Sequence, residues 1–136
     1  MKNAHKPLLI VLLAATIMLA ACSTSNAAIS PYTIEAGRYG LDKAIVTNLL
    51  TREETELVFE DIMGTGWRNL LSFSIDINQD SQGFYNRDGN YVFVNAGLAY
   101  ELIENNILRL HFPRWHGHDN NFYDVVIILG KHKIYG

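Results

Sequence analysis

The chain has 136 residues, 49% of them hydrophobic, and 14 acidic residues against 11 lysines and arginines, for a formal net charge of −3. So high an apolar content argues against an intrinsically disordered chain, and the acidic balance argues against nucleic acid or an anionic lipid surface as a partner. The length suits one domain.

The N-terminus has the pattern of an export signal. Lys2 and Lys6 form a basic start, and the 14 residues from Leu8 to Ala21 are almost wholly apolar. A helix needs about 20 such residues to span a bilayer. The pattern therefore predicts that residues 1–21 are a removable signal peptide and not a permanent membrane span.

The apolar segment ends in Leu19-Ala20-Ala21-Cys22, which resembles the lipobox of bacterial lipoproteins. The resemblance implies cleavage between Ala21 and Cys22 and a membrane anchor of acyl chains, such as palmitate, on Cys22. Residue 23 is serine and not aspartate, which in such proteins favours the outer membrane, with the domain facing the periplasm. An alternative is cleavage after Ser25-Asn26-Ala27, which would release a soluble protein.

Export by this route constrains the rest of the chain. Cys22 is the only cysteine, so a lipidated protein has no thiol left for a disulfide or for catalysis. Removal of Lys2 and Lys6 brings the formal charge to about −5. Residues 22–32 are small and polar and predict a flexible tether, and residues 33–136 are expected to form a single domain.

The first part of this domain has helical patterns. Leu41, Ala44, Ile45 and Leu49 follow spacings of three and four. Thr51 and Glu54 then match a capping box, and Gly64 is placed to end the helix that would follow. These features predict one or two N-terminal helices.

The second part of the domain has strand patterns. The alternation from Leu71 to Ile77 and the segments 91–94, 107–112 and 123–129 predict strands, the last of them buried on both faces or central in the sheet. Asp88-Gly89 indicates a turn. Residues 98–104 fit a short helix or a strand, and a hairpin through Asn105-Asn106 is favoured. The predicted fold class is therefore α+β, with a mostly antiparallel sheet of about four to five strands.

One segment concentrates side chains that can bind metal. It contains His111, His116, His118 and Asp119, and the two histidines at i and i+2 would share one side of an extended segment. Zinc or copper is the metal that these ligands would favour. The spacing matches no established metal motif, and solvated turns collect histidine and aspartate in any case, so no cofactor is expected.

The same segment is also a candidate ligand-binding loop. Arg114, Trp115, His116 and Tyr123 combine aromatic rings with polar groups, provided that Trp115 does not fold back onto the core. A further candidate is a calcium loop at Asp76, Asn78 and Asp80. That pattern fails afterwards, because Ser81 replaces the glycine and Arg87 replaces the closing glutamate.

No signature of nucleophilic catalysis or of a phosphate-binding loop is present in the sequence. The prediction is a lipid-anchored, non-enzymatic envelope protein that binds or assists another envelope protein or a cell-wall component. One alternative is a metal-binding periplasmic protein or metal-dependent enzyme. The other is an inhibitor or immunity-type lipoprotein, which would differ only in its partner.

Overall fold

Residues 30–131 are the part of the chain that the computed structural model describes, and they form eight strands of one antiparallel sheet. A short helix, α1 Phe59–Met63, and a 3-10 helix, Arg68–Ser72, connect the second strand to the third. The strands are β1 Gly37–Asn48, β2 Glu54–Val58, β3 Ser74–Ile77, β4 Gly83–Tyr85, β5 Tyr91–Asn95, β6 Leu98–Glu104, β7 Ile107–His116 and β8 Phe122–Lys131.

The prediction of an α+β fold with one or two N-terminal helices and four to five strands is wrong, because the first predicted helix is β1. A bulge between Leu41 and Lys43 shifts the register of β1 against β8. The extra residue puts Leu41 and Ala44 on the same buried face although they are three positions apart. The bulge therefore produced the spacing that imitates a helix.

Most of the second predicted helix is instead the β1–β2 turn and strand β2. Thr51 lies in the turn between β1 and β2, where its hydroxyl accepts the N–H of Glu53 at 3.3 Å. Helix caps and turns use the same short-range hydroxyl bond, so the capping pattern did not distinguish them. Of the second predicted helix, only residues 59–63 are α-helical, and Gly64 follows their end as the sequence predicts.

The strand order is β2-β1-β8-β7-β6-β5-β4. Along the edge of β1 that faces away from β8, β2 pairs with residues 43–47 and β3 pairs with residues 37–40. The sheet curls over its own inner face, since the Tyr100 hydroxyl of β6 lies 3.5 Å from the carbonyl oxygen of Ser74, the first residue of β3. The inner face carries the core, which includes Tyr39, Leu41, Ala44, Val46, Leu57, Leu108, Leu110, Val125, Ile127 and Leu129.

Several strand predictions are confirmed. The segment 98–104 is a strand and forms a hairpin with β7 through Asn105-Asn106. The Asp88-Gly89 turn joins β4 to β5, with Gly89 at a φ of 81°. β8 is central, between β1 and β7. These predictions succeeded because turn residues with positive φ mark hairpins locally.

Two strand boundaries differ from the predictions. The strand predicted over residues 107–112 continues to His116 as β7, because a bulge between Phe112 and Trp115 takes Pro113 out of the regular ladder. The predicted strand from Leu71 to Ile77 begins three residues later as β3, since Leu71 belongs to the 3-10 helix.

The described chain enters the domain beside the β6–β7 turn. Asn105 Oδ1 accepts the N–H of Thr33 at 2.9 Å, and Asn106 Oδ1 accepts the N–H of Glu35 at 2.8 Å. The hydroxyl of Tyr39 donates to the carbonyl oxygen of Glu35 at 2.7 Å. These bonds fasten residues 33–35 to the end of the sheet at which β1 begins.

The predicted signal peptide, the cleavage site between Ala21 and Cys22, and most of the tether lie outside the described residues. Residues 132–136 of the predicted domain lie outside them as well. Within residues 30–131, no helix is sufficiently long and apolar to cross a membrane.

Candidate functional site

The structure distributes the candidate residues of the segment 111–124 over two faces of the sheet. β7 and β8 extend as a hairpin to His116 and Phe122, and the turn between them is closed by the bond from the Gly117 N–H to the Asn121 carbonyl at 2.9 Å. Since alternate strand residues face opposite ways, neighbours in the sequence separate here.

The outer-face members contact one another. His111 Nε2 and Asp124 Oδ1 form an ion pair at 2.6 Å, in which the histidine is charged only when protonated. The guanidinium of Arg114 lies 4.0 Å above the Phe122 ring, a cation–π contact. The ring of His116 lies 5.1 Å from the same phenyl ring.

Trp115 faces inward and is half-buried. Its ring packs edge-on against Phe112, with centroids 5.2 Å apart, and against Phe73 at 6.0 Å. The side chain therefore extends the core towards the end of the sheet, which is the alternative that the sequence left open for this residue.

Asp119 and Tyr123 are joined at the turn. The Tyr123 hydroxyl donates to Asp119 Oδ2 at 2.5 Å, and Asn121 donates to both oxygens of the same carboxylate. The hydrogen bond from Tyr123 makes the largest contribution to lowering the pKa of Asp119, and the same hydrogen bond raises the pKa of Tyr123. Asp119 is therefore ionised at neutral pH and is engaged in shaping the turn.

The four candidate metal ligands have separate contacts. His111 is paired with Asp124, His116 lies on Phe122, and His118 lies against Gly66. In the part of the chain that the structure describes, no group of three or more His, Cys, Asp or Glu side chains is placed to hold a metal ion.

The candidate calcium ligands lie in and after β3. Asp76 receives two bonds from Arg38, at 2.7 and 3.2 Å. Asn78 Oδ1 accepts the Asp80 N–H at 2.9 Å and the Ser81 hydroxyl at 3.2 Å. The Asn78 oxygen therefore holds the turn, and Asp76 already has a cationic partner.

The structure shows a concave site that the sequence did not predict, which we call the Trp67 cleft. It consists of two depressions of about 170 and 150 Å³ that share Trp67 and Tyr123 as walls. The rings of Trp67 and Tyr123 meet edge to face, with centroids 4.9 Å apart. The larger depression is also lined by Val46, Asn48, Glu53, Thr55 and Leu57, and the smaller one by Gly66, His118 and Asp119.

Local turn chemistry places Trp67 in the cleft. The Thr65 hydroxyl donates to the carbonyl of Ile62 at the end of α1 and accepts the Trp67 N–H, both at 3.2 Å. Gly66 leaves room for His118, because a Cβ at this position would lie 2.9 Å from the imidazole. The only sequence signal was a tryptophan within a glycine-rich turn, which does not reveal that β8 lies beside it.

The cleft lies at the end of the sheet opposite to residues 33–35. Asn48 is the last residue of β1, Glu53 lies just before β2, and Tyr123 is the second residue of β8. β1 has 12 residues. At about 3.3 Å per residue, the two ends are separated by about 36 Å.

Comparison with known proteins returns no match to a family model, to a curated sequence or to a solved structure.

Proposed function

We propose that this chain is a lipoprotein of the outer membrane that faces the periplasm, and that its domain binds another envelope protein or a cell-wall component at the Trp67 cleft without catalysing a reaction. The anchor rests on the resemblance of Leu19-Ala20-Ala21-Cys22 to a lipobox. The binding role rests on the size and the composition of the cleft.

The size of the cleft is the observation that carries the binding role. Its depressions of about 170 and 150 Å³ are each smaller than the ~300–1,000 Å³ of pockets that enclose small molecules. Each is suited to one side chain of a larger ligand. Two aromatic walls with polar groups around them are typical of the anchor regions of protein interfaces.

The state of Asp119 also favours binding over catalysis. A general acid or base needs a pKa near the working pH, whereas the hydrogen bond from Tyr123 lowers the pKa of Asp119. Asn121 donates to the same carboxylate. A carboxylate that is held by these hydrogen bonds is suited to form part of the wall of a binding site.

The anchor is tested at Cys22. Mass spectrometry of the mature wild-type protein is expected to give an N-terminal Cys22 that carries acyl chains, and Cys22→Ser is expected to accumulate unprocessed. A soluble Cys22→Ser product that begins after Ala27 would contradict the anchor.

The binding role is tested by a photo-reactive amino acid at Thr55, an exposed residue of the larger depression. The same group at Gln79, an exposed turn residue at the other end of β1, is the control. In the native envelope, we expect one saturable adduct from position 55 that Trp67→Ala abolishes. Equal adducts from both positions, or an adduct that survives Trp67→Ala, would reject the cleft as the binding site.

A further inference from the structure

The ionisable groups that line the Trp67 cleft are Glu53, Asp119 and His118, and neither depression is lined by a lysine or an arginine. Within residues 30–131, the Glu53 carboxylate has no ion pair and no hydrogen bond. Arg52 and Arg68 neighbour lining residues in the sequence but do not line the cleft themselves.

The larger depression combines this unpaired carboxylate with an aromatic wall. Trp67 is half-buried, and its exposed part borders the same space as Glu53. A tryptophan ring attracts a cation placed over its face, and the attraction increases when the cation is partly desolvated. Val46 and Leu57 supply apolar surface, against which the aliphatic stem of a long cationic side chain can pack.

Further acidic side chains lie on β2 and α1 outside the cleft, and Glu54 and Glu56 face away from it because strand residues alternate. Four exposed carboxylates lie on β2 and α1, and of these only Glu56 is in an ion pair within the described residues, with Lys43 at 3.7 Å. A local excess of carboxylates over cationic groups raises the local concentration of cationic ligands and speeds their association. The four carboxylates are Glu54, Glu56, Glu60 and Asp61.

From this charge complementarity we infer that the Trp67 cleft recognises a cationic peptide segment, and that one lysine or arginine side chain of the partner occupies the larger depression between Glu53 and Trp67. The inference rests on the proposed function, because it names the chemistry of the partner. The smaller depression receives a neighbouring side chain of the same segment.

The test uses the acylated full-length protein in detergent micelles, labelled with ¹⁵N, and short capped peptides of one length. The peptides carry lysine, arginine, acetyl-lysine or glutamate at alternate positions, with glycine between. The chain has two tryptophans, Trp67 and Trp115, so its spectrum contains two indole N–H signals, which Trp115→Phe assigns. We expect the lysine and arginine peptides to shift the Trp67 signal saturably, and the acetyl-lysine peptide to bind about tenfold more weakly.

Glu53→Gln and Glu54→Gln form a matched pair, because both remove one negative charge and only Glu53 lines the cleft. Glu53→Gln is expected to weaken binding of the lysine peptide by about tenfold, and Glu54→Gln is expected to weaken it by less than about twofold. Binding of the acetyl-lysine peptide is expected to be unchanged in both.

The outcomes separate this inference from the proposed function. Equal affinity for lysine and acetyl-lysine peptides, or equal losses in the two variants, would overturn the cationic ligand. An adduct at Thr55 without a response to any cationic peptide would also overturn it and leave the proposed function in place. If no adduct forms at Thr55 and no cationic peptide binds, both the cationic ligand and the proposed function are overturned.

Discussion

Asn106 shows how one residue combines backbone conformation with long-range hydrogen bonding. Its φ is 58°, in the left-handed region that asparagine and glycine adopt most readily, so asparagine suits this hairpin turn. Its side-chain oxygen also accepts the Glu35 N–H and, at 3.1 Å, the Tyr39 hydroxyl. The sequence predicted the first property, and only the fold shows the second.

Asn106→Gly should therefore destabilise the domain although it suits the backbone. We expect a loss of about 1 kcal/mol in the free energy of unfolding, measured by urea denaturation, because the Glu35 N–H loses its acceptor, whereas the Tyr39 hydroxyl keeps the Glu35 carbonyl. Asn120→Gly is the matched control, since Asn120 has a similar φ of 65°. Its side chain makes no hydrogen bond within the described residues, so this variant should be neutral. Equal effects of the two variants would show that Asn106 serves the turn alone.

Three tyrosines make the stability of the folded domain depend on pH in the alkaline range. Burial raises the pKa of Tyr39 and Tyr100, and the bond to Asp119 raises the pKa of Tyr123. Because the folded protein favours the protonated phenols, their contribution to stability is complete below the ordinary value of 10.0. It is lost as the pH rises through the higher pKa values of the folded state.

We therefore expect the free energy of unfolding to fall as the pH is raised beyond about 10. Tyr123→Phe should make this fall shallower, because the variant no longer releases a proton at this position on unfolding. Denaturant unfolding at a series of alkaline pH values measures the effect. A slope identical to that of the wild type would contradict the assigned role of the Tyr123–Asp119 bond.

At the scale of elements, sequence patterns predicted turns better than they predicted the strand at the start of the domain. The turns at Gly89 and at Asn106 were identified because their conformation depends on the residue type at that position. β1 was misassigned because its bulge gives Leu41 and Ala44 the spacing of a helical face. A bulge is created by the pairing of β1 with β8, which lies about 80 residues away in the sequence, so a local pattern could not reveal it.

Only part of the candidate site could be predicted, because local sequence patterns do not reveal long-range strand pairing. Tyr123, His118 and Asp119 were identified as polar and aromatic residues in or beside a turn, and all three line the Trp67 cleft. Trp67 was not identified, and Glu53 was not connected with the segment 111–124. They reach the cleft only because β2 pairs with β1 and the segment after α1 returns beside β8. Each local segment lacked the information that long-range strand pairing supplies.

The β7–β8 turn has a steric requirement at Gly117. A Cβ at this residue would lie 2.7 Å from the Tyr123 ring and 2.9 Å from Asp119 Oδ1. Gly117→Ala should destabilise the domain by about 1–3 kcal/mol and weaken binding at the cleft, because Tyr123 must move. Thermal unfolding measures the first effect and peptide titration the second. Gly64→Ala is the control, since a Cβ there meets no atom within 4 Å, and a similar loss in this control would reject the explanation.

At the scale of the whole molecule, the two ends of the sheet have different roles under the proposed function. Residues 33–35 are fastened at the β6–β7 turn, whereas the cleft lies at the opposite end, beside the β7–β8 turn. In the sequence, only seven residues separate Cys22 from Ser30. If Cys22 is lipidated as proposed, the β6–β7 end would be held near the bilayer and the cleft would point towards the periplasm.

This orientation can be measured, because a lipidated Cys22 leaves the chain without any other thiol. A donor fluorophore on Glu104→Cys, beside the β6–β7 turn, should be strongly quenched by acceptors on the lipid headgroups of reconstituted vesicles. The same donor on Asn120→Cys, in the β7–β8 turn, should be quenched much less, because β7 spans 10 residues, or about 30 Å, between the two turns. Equal quenching would indicate that the sheet lies flat on the membrane, and stronger quenching at position 120 would place the cleft against the bilayer. Either result would contradict a site that is presented to partners in the periplasm.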